Sequence, residues 1–160
     1  MELVSSNEVP IENDAFCEAE IVNDGYEYIE PGKYDLVYLH HETVFMFKKA
    51  AKLVIWFRVV TQGKYFGIKV PRFYNVNRII GKPQKNGGFK VGRRSDFFHE
   101  YDRLFHAPDR RLDRIPVHGR FSKVIIVGRI DVVKQNYKQR DVSEASRYSV
   151  VRELIEVKQL

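Results

Sequence analysis

Apolar residues along the chain fall into short alternating runs, which predict strands, with one run at helical spacing. From Lys52 to Val60, Leu53, Ile55, Phe57 and Val59 alternate with Val54, Trp56, Arg58 and Val60, and the first set is expected to face a core. Lys33 to Thr43 alternates Tyr34, Leu36, Tyr38 and His40 with Asp35, Val37, Leu39 and His41, a strand with apolar groups on both faces. The stretch from Phe45 to Lys49 reads as the loop after it. Thr61-Gln62-Gly63-Lys64 is a connection of hairpin length, leading to an antiparallel third strand from Tyr65 to Val76. Pro71 interrupts that strand, and a residue without a backbone N–H belongs at a bulge or an edge.

Arg78 to Arg94, broken by Gly87, Gly88 and Gly92, reads as a long irregular loop. Ser95 then has the chemistry of an N-cap, Asp96 suits the first turn, and Phe97, Phe98, Tyr101, Leu104 and Phe105 follow as the apolar face of a helix that Pro108 should end. A polar link over 109–119 precedes a strand from Arg120 to Lys134, with Gly128 as a bend. A charged loop over 137–147 and a final strand from Tyr148 to Val157 complete the chain. The pattern is mostly β with one main helix, and its order, three strands, a helix and two strands, is that of the five-stranded OB barrel. Closure into a barrel would remove exposed edges, and an open sheet or split barrel with one helix is the alternative.

Charge divides the chain in two. Its 160 residues carry 27 Lys and Arg against 21 Asp and Glu, a formal +6. Residues 1–31 contain nine of the acids and no Lys or Arg, leaving a body of 27 bases against 12 acids. Residues 1–30 are therefore expected to form an acidic leader, partly disordered, and 31–160 the folded domain. A single cysteine, Cys17, excludes an internal disulfide framework, and no basic-then-apolar signal pattern or long apolar span appears, so a cytoplasmic protein outside the membrane is expected.

Candidate chemistry follows the bases. Arg78, Lys82, Lys85, Lys90, Arg93 and Arg94 lie among glycines with no acid between them, a composition suited to close phosphate approach and counterion release. In an OB barrel the loops after strands 1 and 4 flank the face of strands 2 and 3. Those loops carry Lys48 and Lys49, and Tyr137, Lys138 and Arg140. Trp56, Arg58, Lys69, Arg72 and Tyr74 are the expected binding groups on the strands, aromatics stacking on bases and cations tracking the backbone.

Enzymatic patterns are weak by comparison. His99, Asp102 and His106 share roughly one face of the predicted helix, but a solvated polar face is the simpler reading, and no metal, cofactor or catalytic residue is expected. Consecutive His40 and His41 on a strand point to opposite faces and cannot chelate together. No phosphate-cradling glycine motif is present, and acidic neighbours blunt Cys17.

Pro31-Gly32-Lys33-Tyr34, His41-Glu42-Thr43 with Met46-Phe47, Tyr65-Phe66-Gly67, Arg72 to Val76, Tyr137 to Arg140 and Arg147 to Val151 together resemble a family of small proteins of bacterial prophages and integrated mobile elements. The resemblance implies a mobile-element setting and an element order similar to phage single-strand-DNA-binding proteins; it brings no assigned site residue. The expectation is a non-sequence-specific binder of single-stranded nucleic acid, DNA before RNA, with a host or replication protein as partner of the acidic leader and with self-association compatible. The alternative is a protein-interaction module whose basic face binds an acidic host partner or inhibits host machinery.

Overall fold

The computed structural model describes residues 28–46, 49–106, 111–134 and 148–158. The strands are β1 (Gly32–Met46), β2 (Ala50–Val59), β3 (Lys69–Asn75), β4 (Arg78–Ile80), β5 (Gly88–Lys90), β6 (Ile125–Val133) and β7 (Tyr148–Lys158), and the helices α1 (Asp96–Phe105) and α2 (Val117–Phe121). Most of the acidic leader, residues 1–27, lies outside the described residues, as do Lys48, Tyr137, Lys138 and Arg140.

Five strands form one antiparallel sheet in the order β3-β2-β1-β6-β7, and β4 and β5 form a separate pair. β1 organises the sheet: Gly32 to Val37 pair with β6, and Leu36 to Met46 pair with β2. A register shift between Tyr38 and His40 turns His41 and Thr43 inward after Leu36 and Tyr38. The sheet is not closed. Its edges β3 and β7 come close without sharing a ladder, and α1 packs against both.

Leu36, Leu53, Ile55, Phe57, Val59, Ile126, Ile130 and Leu154 fill the interior, so the alternation on β2 has the expected inner set. Phe97 and Tyr101 of α1 and Phe121 of α2 enter the same cluster, with the Phe97 and Tyr101 rings stacked at 5.6 Å. Ile29 is fully buried there too: its N–H donates to Ser149 Oγ at 2.8 Å, and that hydroxyl donates back to its carbonyl at 3.1 Å. The packed body thus begins before Pro31.

At the seam between β3 and β7, the Glu100 carboxylate of α1 accepts from Tyr74 Oη at 2.7 Å and from the Leu154 N–H at 3.0 Å through one oxygen, and from Arg72 Nη2 at 2.5 Å through the other. A buried carboxylate requires such partners, and here they lie on both edges of the sheet. The open seam is bridged by side-chain chemistry.

Several boundaries differ from expectation. Arg78 to Lys90 is a hairpin, with Ile79 opposite Phe89, because Phe89 buries its ring against Phe97 of α1 and its neighbours pair around it. Residues 64–67 turn before β3 starts, and residues 117–121 are helical before β6 starts at Ile125. Ser95 caps α1 as its chemistry predicts, its Oγ accepting from the Phe98 N–H at 3.1 Å. The helix ends on His106 in a left-handed conformation, φ 49°, two residues before Pro108. Pro71 sits in edge strand β3, as a residue without an N–H should.

Candidate nucleic-acid interface

The outward face of the β1-β2-β3 half, opposite the main core, carries three registered rows, in which Val54 and Pro71 are themselves buried. In the first, Val37, Arg58 and Lys69 lie opposite one another; in the second, His40, Trp56 and Pro71; in the third, Glu42, Val54 and Phe73. Lys85, at the tip of the β4–β5 hairpin, bridges to Glu42 on the side away from β2 and extends the third row. Direct partners in an antiparallel pair share a face, so one half-exposed indole is ringed by Arg58, Lys69 and Lys85.

The hairpin tip is held there by backbone bonds. The Thr43 N–H donates to the Gln84 carbonyl at 3.1 Å, the Asn86 N–H to the His41 carbonyl at 2.7 Å, and the Gln84 N–H to Thr43 Oγ1 at 3.1 Å. Gly87 permits the approach: a Cβ there would lie 2.5 Å from Thr43 Oγ1 and 3.0 Å from the Gln84 carbonyl oxygen.

Around Trp56 the polar groups are preorganised. Its Nε1–H donates to Glu42 Oε2 at 3.2 Å, and the His40 ring stacks beside it at 6.4 Å. Burial raises the Glu42 pKa, opposed by the indole hydrogen bond and by Lys85. Burial lowers the His40 pKa, helped by Lys85 and Lys69, so its ring is neutral at physiological pH. On the inner face, His41 is pushed down to about 4 by burial, and Tyr38 Oη meets its Nδ1 at 2.9 Å.

Several cations on the β6–β7 side are neutralised by ion pairs. On the β6–β7 side Arg103 and Arg129 both pair with Glu153, at 3.1 and 3.2 Å, Lys158 pairs with Asp35 at 3.0 Å, and Arg152 faces Asp131 at 3.8 Å. Among the described residues, Arg58, Lys69, Lys82, Lys85, Lys90 and Arg94 make no ion pair, and all six are exposed. Among the described residues, unpaired exposed cations thus lie on the β2-β3 face and the hairpin, and also elsewhere at Lys33, Arg114, Lys123 and Lys134.

The structure sorts the expected residues into three sets. Trp56, Arg58, Lys69 and Lys85 are brought together on the outward face. Arg72 and Tyr74 are not there: they lie on the inner side of β3 with Val70, Tyr74 is 2% exposed, and both are committed to Glu100. Adjacent residues on a strand alternate faces, so Lys69 and Arg72 cannot point the same way in a regular strand. Lys49, Lys82, Lys90, Arg93 and Arg94 are exposed in connections and on the hairpin, with the Arg93 guanidinium 5.8 Å from the Phe98 ring centre. Sequence reasoning missed His40 and Glu42 as members of the face; the signal was their alternation on β1 opposite Trp56, hidden by the register shift after Tyr38.

A second buried cluster of Met46, Tyr148 and Val150, with Val44, Phe73 and Val133 against it, borders the third row through Phe73. It gathers the end of β1, the end of β6 and the start of β7. Comparison with protein-family models, with curated proteins and with solved structures finds no match for this chain.

Proposed function

We propose that this protein binds single-stranded nucleic acid, DNA in the first instance, on the outward face of β2 and β3, without strong dependence on sequence. The observation that carries the reading is the half-exposed Trp56 with unpaired Arg58 and Lys69 in the adjoining row and Lys85 alongside. A π-face surrounded by unneutralised cations offers a base a stacking surface and its flanking phosphates counter-charges. The excess of cations over the single carboxylate of Glu42 on this face also steers a polyanion to it.

The finer architecture we infer is an OB-like barrel. Its support is the strand order, which places β3 and β7 at the two edges that such a barrel closes, and the approach of those edges across Glu100. The ends of β1 and β6, from which an OB barrel extends its ligand-flanking loops, meet at the Met46 and Tyr148 cluster. A role in phage or mobile-element DNA metabolism follows from the resemblance of the sequence motifs.

Titration of the full chain with labelled single strands at two ionic strengths tests the binding. Tight association at low salt that weakens steeply at higher salt is expected. Absence of binding at low salt would overturn the reading.

A further inference from the structure

An anion at the centre of a basic face is costly, since Glu42 repels the phosphates that Arg58, Lys69 and Lys85 attract. It is also half-buried, and desolvation works against its charge. Its position gives a return. Glu42 and Trp56 are diagonal neighbours on β1 and β2, and the indole N–H on Oε2 fixes the carboxylate against the edge of the ring. A carboxylate offers about four acceptor sites, so one N–H leaves capacity on both oxygens. A base stacked on Trp56 would present its hydrogen-bonding edge to these acceptors.

We propose that Glu42 makes the Trp56 position selective for guanine within an otherwise sequence-tolerant track. The inference rests on the single-strand reading above. Guanine alone presents two adjacent donors, N1–H and N2–H, on its Watson–Crick edge, and these match two carboxylate oxygens in a fork. Adenine and cytosine each present one exocyclic amine there. Thymine offers a single donor, N3–H, flanked on both sides by carbonyl oxygens that repel an anion. The order at this position is guanine first, adenine and cytosine next, and thymine last. Neutral His40 beside the ring adds no competing cation to draw the carboxylate away.

The test is anisotropy of the full chain with a labelled short thymidine oligomer, against the same oligomer carrying one central dG, dA or dC. The wild type should bind the dG oligomer tighter by on the order of tenfold, the lower range for a bidentate base contact. Glu42→Gln keeps an oxygen for the indole N–H but has one acceptor and one donor at its tip. It should lose the dG preference while binding the all-thymidine strand at least as well as the wild type. Trp56 is the only tryptophan of the chain, so its quenching in the wild type by dGMP against dTMP supplies a second measurement that needs no variant.

Equal affinity of the wild type for all four oligomers, or a dG preference that survives in Glu42→Gln, would overturn the inference and leave single-strand binding standing, with Glu42 as an anchor for the indole only. No binding of any oligomer at low salt would remove both.

Discussion

Arg72 and Glu100 form an ion pair between β3 and α1, Nη2 to Oε2 at 2.5 Å, with side chains 11% and 8% exposed. The guanidinium also lies over the Tyr74 ring, 4.1 Å from its centre, and donates to the Phe73 carbonyl at 3.0 Å. Removing one partner strands a largely buried charge, so Arg72→Met or Glu100→Ala should cost about 3–5 kcal/mol in urea unfolding. Glu100→Gln, which retains acceptors for Tyr74 and Leu154, should cost less than Glu100→Ala. Folded Arg72→Met should bind single strands as the wild type does, because Arg72 faces inward; a loss of affinity at unchanged fold would move it into the interface.

Arg58 and Lys69 should behave in the opposite way. Both are exposed and opposite each other in register, and neither stabilises the body through an ion pair among the described residues. Arg58→Ala and Lys69→Ala should leave stability within about 0.5 kcal/mol. Each should lower the slope of log affinity against log salt by roughly 0.7, the value for one released counterion on a single strand. Trp56→Ala should cost about 1–3 kcal/mol of binding with the salt slope intact, which separates stacking from phosphate contact. The check is a salt titration of the three variants beside the wild type.

How far the sequence disclosed these features depends on the range of the interactions behind them. The Ser95 cap and the helix after it were legible because hydroxyl, N–H and apolar stripe all lie within a few residues. The inner face of β2 was legible for the same reason, as strict alternation. The hairpin at Arg78 to Lys90 was not, because glycine-rich composition resembles a loop, and the force that pairs its strands is the burial of Phe89 against a helix eight residues later. On β3, the basic and aromatic character of Arg72 and Tyr74 was visible, but their direction was set by registry with Ile55 and Leu53. Glu42 was visible only as one acid in a basic body; its contact with Trp56 depends on a register shift that no local pattern announces.

Gly87 tests whether the hairpin tip contributes its lysines to the face. A methyl group at this position meets Thr43 Oγ1 at 2.5 Å and backbone oxygen at 3.0 Å, so the tip must move or the strand must yield. Gly87→Ala should cost about 1–3 kcal/mol, or lift the tip and leave the main sheet intact. In the second case the Thr43 and Asn86 amides, now bonded across this contact, should exchange faster with deuterium, and single-strand affinity should fall as Lys85 leaves the side of Glu42. Unchanged exchange and affinity would show that the lysines act independently of this docking.

His41 should dominate the acid sensitivity of the fold. It is 6% exposed on the inner side of β1, and Tyr38, its own pKa pushed up to about 12 by burial, keeps its hydroxyl proton beside His41 Nδ1. The neutral imidazole suits this arrangement, accepting at Nδ1; a second proton would be favoured by the Gly87 backbone but would face burial and the neighbouring His40 and His118 rings. With a folded pKa of about 4 against 6.5, the unfolded chain binds the proton first as pH falls. Stability should therefore be flat above the unfolded pKa, decline from there toward the folded value, and level off below it. His40, also lowered by burial, adds to the same decline, whereas Glu42, raised by burial, works against it just above the ordinary carboxylate range. Urea midpoints at neutral pH and at about pH 5 should differ markedly in the wild type and much less in His41→Gln, which cannot take up the proton. Equal acid sensitivity in the two proteins would assign the decline to other groups.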